Sequence, residues 1–328
     1  MKRVLKALGY VLAVAVLIAG GAVTYLFARK PEMAPAPSLK IERTETRVAR
    51  GEYLVRVADC DGCHSERDFT RFDGPVVESG RLAGQVFTKE QGMPGTVVAP
   101  NLTPDPETGV GAWTDGELVR AIREGVDREG RTLFPMMPYK AFRTMSDEDV
   151  YSVVAYLRTL TPVKRRHPQT EVDFPVALMI KGVPKPVGNV PDRDLSGKRA
   201  RGEYLVGLAG CQGCHTPSLG GGEKFGGGGL RVVSANISSD PSTGIGRLSE
   251  QDFVDKFLQY KEYAEQGSPK VGPEAFTIMP WLNFSMLPEE DLRAIYTYIH
   301  SLPPVVKAVE THPGFDPKVK QVLTSEKK

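Results

Sequence analysis

The sequence predicts a mainly α-helical protein: two copies of one domain carried behind a single N-terminal apolar helix. Three observations predict this. There is an almost uncharged apolar run near the N-terminus, a set of short motifs recurs in the same order in the two halves, and each copy opens and closes with apolar residues at helical spacing. The 328 residues suit about two domains. A net charge of +2 lacks the basic excess that a nucleic-acid surface requires, so nucleic acid is not expected as a partner. Aromatics at 8% and a mean hydropathy of −0.25 exclude a polytopic membrane protein.

Val4 to Phe27 carries no charge apart from Lys6. A helix from Ala7 to Ala28 would rise ~33 Å, enough for a hydrocarbon core of about 30 Å. A cleaved signal peptide usually has an apolar region of about 7–15 residues. The downstream small-residue candidate Ala34-Pro35-Ala36 is followed by Pro37, which a peptidase accepts poorly, and Ala19-Gly20-Gly21 lies inside the apolar run. Residues 1–30 are therefore read as a transmembrane anchor, with an uncleaved signal as the related reading and cleavage as the alternative. Lys2, Arg3 and Lys6 precede the span and Arg29 and Lys30 follow it, which mildly favours a cytoplasmic N-terminus. Pro31, Pro35 and Pro37 give residues 31–44 the character of a short, stiff, extended spacer.

The rest of the chain is a duplication. Ala49-Arg50-Gly51-Glu52-Tyr53-Leu54-Val55 recurs 151 positions later as Ala200-Arg201-Gly202-Glu203-Tyr204-Leu205-Val206, and Cys60 and Cys211 keep that offset. Asn101-Leu102-Thr103 and Gly109-Val110-Gly111 recur 135 positions later as Asn236-Ile237-Ser238 and Gly244-Ile245-Gly246, so the second copy has a loop 16 residues shorter. Met137-Pro138-Tyr139 and Tyr156 recur 142 positions later as Met279-Pro280-Trp281 and Tyr298. Two copies make a tandem pair, since a solenoid needs at least three units.

Each copy reads as helical. Thr46 to Ala58 places Val48, Tyr53, Leu54 and Val57 at helical spacings, leading into the first cysteine. After Ser146, Asp147, Glu148 and Asp149 suit a helix N-terminus, Val150, Val153, Val154 and Leu157 form an apolar stripe, and Leu160-Thr161-Pro162 ends it. The second copy repeats this from Pro288 to Leu302. Domain 1 is set at 45–163, an interdomain linker at 164–197, domain 2 at 198–306 and a C-terminal tail at 307–328. Within the connection, the apolar stretch Phe174 to Ile180 is expected to pack against a domain face. Such small cores with so much loop would be marginal alone; a large, flat, buried cofactor would supply the missing apolar surface.

The chemistry lies in Cys60-Asp61-Gly62-Cys63-His64 and Cys211-Gln212-Gly213-Cys214-His215, which use all four cysteines. Two cysteines two residues apart put both sulfurs on one turn, where they can add to the two vinyl groups of a haem, and the next histidine then meets the iron from one side. A zinc site needs four ligands, and neither motif has a second Cys/His pair nearby. A redox disulfide rarely carries the trailing histidine and sits on a βαβ pattern that is missing here. Two motifs in register within a duplication also speak against chance. The expectation is two covalently bound haem c groups, on Cys60 and Cys63 and on Cys211 and Cys214, with His64 and His215 as axial ligands. Attachment of this kind takes place outside the cytoplasm, which orients the anchor.

The sixth iron position decides between electron transfer and small-molecule chemistry. Outside the motifs the histidines are His167, His300 and His312, none with a histidine at the matching position of the other copy. Methionines ordinarily fill cores, but Met137 and Met279 correspond between copies and each precedes a proline and an aromatic residue. Met136 has no counterpart and is the competitor for the first site; Met145, Met286 and Met93 read as packing or loop residues. His/Met ligation raises the potential and leaves no open position. Asn101 and Asn236, with Thr103 and Ser238, are candidates to donate to haem propionates, with a simple turn as the alternative. Trp113 and Trp281 are placed near haem or core. Gly220-Gly221-Gly222 and Gly226 to Gly229 lack the ending of a phosphate loop and read as a mobile connection near the second haem.

Asn101-Leu102-Thr103-Pro104-Asp105, Gly109 to Asp115, Leu118 to Gly125, and Met137-Pro138-Tyr139 ahead of Ser146 to Val150 resemble the cytochrome c subunits of membrane-bound bacterial alcohol, aldehyde and gluconate dehydrogenases. The resemblance spans roughly 45 to 305 and is densest in the first copy. It implies class I cytochrome c domains, whose first and last helices cross beside the haem, and it pairs His64 with Met137 and His215 with Met279. Those subunits typically carry three haem domains; this chain has two motifs and an apparent anchor. The expected function is a membrane-anchored, single-pass dihaem carrier on the periplasmic side of the bacterial cytoplasmic membrane, itself not an enzyme. It would pass electrons between a dehydrogenase or quinol-oxidising complex and a periplasmic or membrane acceptor, with lipid contact through the N-terminal helix. The alternatives are a dihaem peroxidase-like enzyme and a haem-based sensing module.

Overall fold

The computed structural model describes residues 2–226, 231–272 and 275–313. Gly227 to Gly229 and the tail from 314 onward, both named above, lie outside the described residues. Helix α1 runs Lys2–Ala28, and its span Lys6–Ala28 is long and apolar enough to cross a membrane, with none of it buried. Residues 31–44 form no helix or strand, yet they are more than a spacer. Ile41 is buried and donates its N–H to Asp115 Oδ2 at 2.9 Å. The Pro37 carbonyl lies so close to Gly116 that a Cβ there would come within 1.9 Å of it. The segment is a strap laid along the first copy.

The first copy contains α2 (Glu45–Val57), α3 (Cys60–His64), α4 (Asp115–Glu124), α5 (Tyr139–Phe142) and α6 (Asp147–Leu157). The connection holds α7 (Val176–Met179), and the second copy contains α8 (Lys198–Leu208), α9 (Cys211–Cys214), α10 (Glu250–Leu258), α11 (Lys261–Gln266), α12 (Trp281–Phe284) and α13 (Glu289–His300). Side-chain oxygens start four of these helices: Thr44, Thr114, Ser146 and Ser249 each accept from the N–H three residues on.

In each copy the first and last helices cross, α2 against α6 and α8 against α13. The crossing is as close as backbone allows. A Cβ on Gly51 would lie 1.9 Å from the Ser152 carbonyl oxygen, and one on Gly202 would lie 1.9 Å from that of Ala294. These are equivalent contacts, so glycine in the repeated Arg-Gly-Glu-Tyr motif serves helix packing. Leu54, Val55, Val150 and Val154 fill the first core, and Leu205, Val206, Leu292 and Ile299 the second.

The 16 extra residues of the first copy contribute a small sheet. Strand β1 (Gln85–Phe87) pairs antiparallel with β2 (Gly95–Ala99), which in turn pairs with β3 (Glu171–Val172) from the connection. Among its described residues the second copy has β4 (Lys224–Phe225) against β5 (Val232–Val233). Phe174 to Ile180 departs from expectation. Phe174 is 73% and Met179 70% exposed, while Val176, Ala177, Leu178 and Ile180 are half-buried, so only part of the stretch packs, next to β3 and near the end of α1.

The two copies meet through an exchange. Tyr53 donates its hydroxyl to Asp291 Oδ2 of the second copy at 2.7 Å, and Tyr204 donates to Asp149 of the first. Each aspartate is also held by an arginine of its own copy, Arg201 on Asp291 and Arg50 on Asp149. The six residues are equivalent in threes. Helices α5 and α8, and equivalently α12 and α2, are in contact, so the copies are related by an approximate twofold axis.

Candidate functional site

A left-handed residue ends each first helix and turns the chain into the cysteine motif: Asp59 at φ 48° before α3 and Gly210 at φ 66° before α9. His64 and His215 follow, both buried. His64 Nδ1 donates to the Pro100 carbonyl at 2.8 Å, and His215 Nδ1 to the Ala235 carbonyl at 2.8 Å. A carbonyl can only accept, so the proton is on Nδ1 and the lone pair on Nε2. Among the described residues no hydrogen bond uses either Nε2. Burial lowers His64 to about 4 and lowers His215 as well, which keeps both imidazoles neutral near pH 7.

No two of the four cysteines are joined as a disulfide. Burial raises each of them, with Cys63 and Cys211 reaching about 12. Among the described residues no three or more His, Cys, Asp or Glu side chains come together as a metal-ligand group, so neither motif has the four ligands of a zinc site. Cys63 and Cys214 stand near enough for the charge of one to weigh on the other, and Asp59 weighs on both. The two motifs therefore lie at the junction between copies.

The two methionines sit in identical turns. Tyr139 N–H donates to the Met137 carbonyl at 2.8 Å, and Trp281 N–H to that of Met279 at 2.7 Å. Pro138 (φ −82°, ψ 46°) and Pro280 (φ −77°, ψ 63°) occupy the centres, the geometry of an inverse γ-turn. Proline fixes φ where this turn needs it, which explains the Met-Pro-aromatic pattern. Met137 and Met279 are half-buried against the core, together with Cys60, Leu102 and Trp113 in one copy and Cys211, Ile237 and Trp281 in the other. Met136 is not part of that wall. Each copy thus offers thiols, a neutral imidazole with a free lone pair, a thioether and a half-covered apolar wall. That donor set fits a haem c.

Asn101 and Asn236 take the turn role weighed against propionate contact. Asn101 Nδ2 donates to Val163 O at 2.7 Å and Thr108 Oγ1 at 3.3 Å, while its Oδ1 accepts from Thr103 N at 2.9 Å. Asn236 does the same with Val305 O, Thr243 Oγ1 and Ser238 N. These bonds tie the loop to the chain leaving the last helix. The remaining histidines have carbonyl partners: His167 with Ala83, His300 with Tyr296 and His312 with Phe276. Gly220 and Gly221 are buried, and Gly221 N–H donates to the His215 carbonyl at 2.9 Å, so this stretch braces the motif where a mobile connection was expected.

Sequence reasoning missed how the second methionine loop touches the first motif. Asn283, on α12, donates Nδ2 to Asp59 Oδ1 at 2.8 Å and to the Arg56 carbonyl at 2.9 Å. Leu282 N–H donates to Asp73 Oδ2 at 2.8 Å, and Phe72 stacks on Tyr260 with centroids 4.9 Å apart. Only the repeat itself signalled that the copies would be related; these partners lie more than 180 positions apart.

Two helical copies with paired thiols, imidazole and thioether define a two-haem protein of the c type. The family model for cytochrome c matches residues 48–161 and 199–303, and the chain belongs to that family, with two haem c groups. It is 30% identical over 302 residues to the cytochrome c subunit of the quinone alcohol dehydrogenase of Gluconacetobacter polyoxogenes, covering 85% of this chain and 60% of that one. It is 31% identical over 289 residues to the fructose dehydrogenase cytochrome subunit of Gluconobacter japonicus, covering 82% and 55%. It is 32% identical over 272 residues to a diheme cytochrome c-type protein of Cereibacter sphaeroides, covering 78% and 86%. The chain thus spans little more than half the length of the first two relatives.

Proposed function

We propose that the chain is a membrane-anchored dihaem electron carrier. Cys60 and Cys63 would hold one haem and Cys211 and Cys214 the other, with His64 and Met137 the iron ligands in the first copy and His215 and Met279 in the second. Haem iron supplies one-electron exchange, with the potential raised by a thioether ligand. The residues supply the rest. Pro100 and Ala235 carbonyls hold the imidazoles in one tautomer, the Pro138 and Pro280 turns hold the thioethers, and apolar walls exclude water. The observation that carries the reading is the placement of both cysteine motifs at one junction, with Asn283 of the second methionine loop bonded to Asp59 beside the first motif. Electrons enter at one site, cross that junction and leave from the other.

The relatives named as dehydrogenase cytochrome subunits support an oxidoreductase as the donor, α1 supports a single-pass anchor, and attachment of haem c outside the cytoplasm supports both copies being on the periplasmic side. The test is a pair of variants in the matured protein. Met137→Ala and Met279→Ala should each lower one of the two midpoint potentials, leave the other in place, and open one iron to carbon monoxide. Unchanged potentials in either variant would remove that methionine from the iron.

A further inference from the structure

The end of α1 is held by the connection between copies. Lys181 Nζ donates to the Phe27 carbonyl at 2.9 Å, a cation on one of the carbonyls that a helix C-terminus leaves free. The Arg29 guanidinium lies against Gly182. From Lys6 to Phe27 a helix rises ~32 Å, the thickness of a hydrocarbon core, so a bilayer that contains α1 has its surface at Phe27. Just before Lys181 lies the stretch from Phe174 to Ile180, which contains α7, with Phe174 73% and Met179 70% exposed. Asp173 is paired with Lys89 at 2.7 Å, and Arg29 and Lys181 stand where this stretch meets the end of α1, with Lys30 and Lys185 close to them in sequence. Exposed apolar side chains next to cations are what an anionic lipid interface accepts.

We propose that α7 is a second membrane contact: Phe174 and Met179 insert into the interface of the bilayer that α1 crosses, with Lys181 and Lys185 at headgroup level. This rests on reading α1 as the anchor. The strap on the first copy and the α7 contact together fix that copy at the membrane, and the second copy reaches the aqueous side. Two attachment points, α1 before the first copy in sequence and the 174–179 stretch after it, resist the swivelling that a single helix permits.

The full-length, haem-loaded protein is placed in nanodiscs of phosphatidylethanolamine and phosphatidylglycerol. Photoreactive p-benzoylphenylalanine replaces Phe174, Met179, Leu17 within α1, or the exposed Val306 on the second copy, one at a time, and lipid adducts are counted by mass spectrometry. An unchanged haem spectrum checks that each variant is folded. Lipid adducts at Leu17, Phe174 and Met179, about tenfold above Val306, are expected from the interfacial depth of such contacts. Adducts at Leu17 without adducts at 174 and 179 overturn the proposal and leave the anchor standing. No adducts at Leu17 removes the anchor and the proposal together, and equal yields at 174 and 306 also overturn it.

Discussion

Asp73 shows how much one buried carboxyl can carry. It is 3% exposed at the junction, accepts from Leu282 N–H and is paired with Arg67 at 3.3 Å. Burial outweighs the pull of Arg67 and holds its carboxyl up to about 7. An unfolded aspartate titrates near 3.9, so folding takes up a proton between those values. Its contribution to stability is complete below about pH 4 and is lost as the pH rises through about 7. Asp73→Asn should flatten the fall in thermal midpoint over that window, read by circular dichroism; a slope equal to wild type would move the effect elsewhere. Most reactive residues were legible in the sequence because chemistry fixes their spacing: Cys60, Cys63 and His64 need no fold to be recognised. Met137 was separable from Met136 only by register with Met279. Asp73 was not legible, since nothing local says that a chain segment 209 positions away buries it.

Among the elements, the paired helices were readable from apolar spacing and, in the last helix of each copy, acidic first turns, and the observed ends fall within about three residues of the expected ones. The β1–β2–β3 sheet was not. Its strands are two to five residues long, and β3 comes from beyond the last helix of the copy, so no local alternation announces it. The repeated glycine was visible but its reason was not. Gly51→Ala or Gly202→Ala must push two helix backbones apart and should cost about 3 kcal/mol. Gly207, also in α8, has nothing within 4 Å of a built Cβ. Gly207→Ala should instead gain about 0.5–1 kcal/mol from helix propensity. Thermal melts of the three variants check the contrast; equal effects would deny the close crossing its role.

At the scale of the molecule, the repeat foretold two similar units but not how they would meet. The phenol exchange answers that. Tyr53→Phe with Tyr204→Phe leaves two buried aspartates one donor short across the junction, at about 1–3 kcal/mol for each site. Calorimetry should show one transition for the native chain and two for the double variant, because the copies then melt separately. A single shared transition in the variant would mean that the apolar contacts and the Asn283 bonds are sufficient alone. The strap was read as a spacer and Phe174 to Ile180 as packing on a domain face; where each lies depends on contacts with α4 and α1 that no periodicity encodes.

The reciprocal tyrosines have one more consequence. Each half of the chain owns both the reaching phenol and the receiving carboxylate, Tyr53 with Asp149 and Tyr204 with Asp291, so either half is built to mate with a likeness of itself. Joining the halves in one polypeptide turns that mating from a bimolecular event into an intramolecular one, with an effective concentration set by the tether alone. The spacing of the two redox centres is thereby independent of how much protein the cell makes.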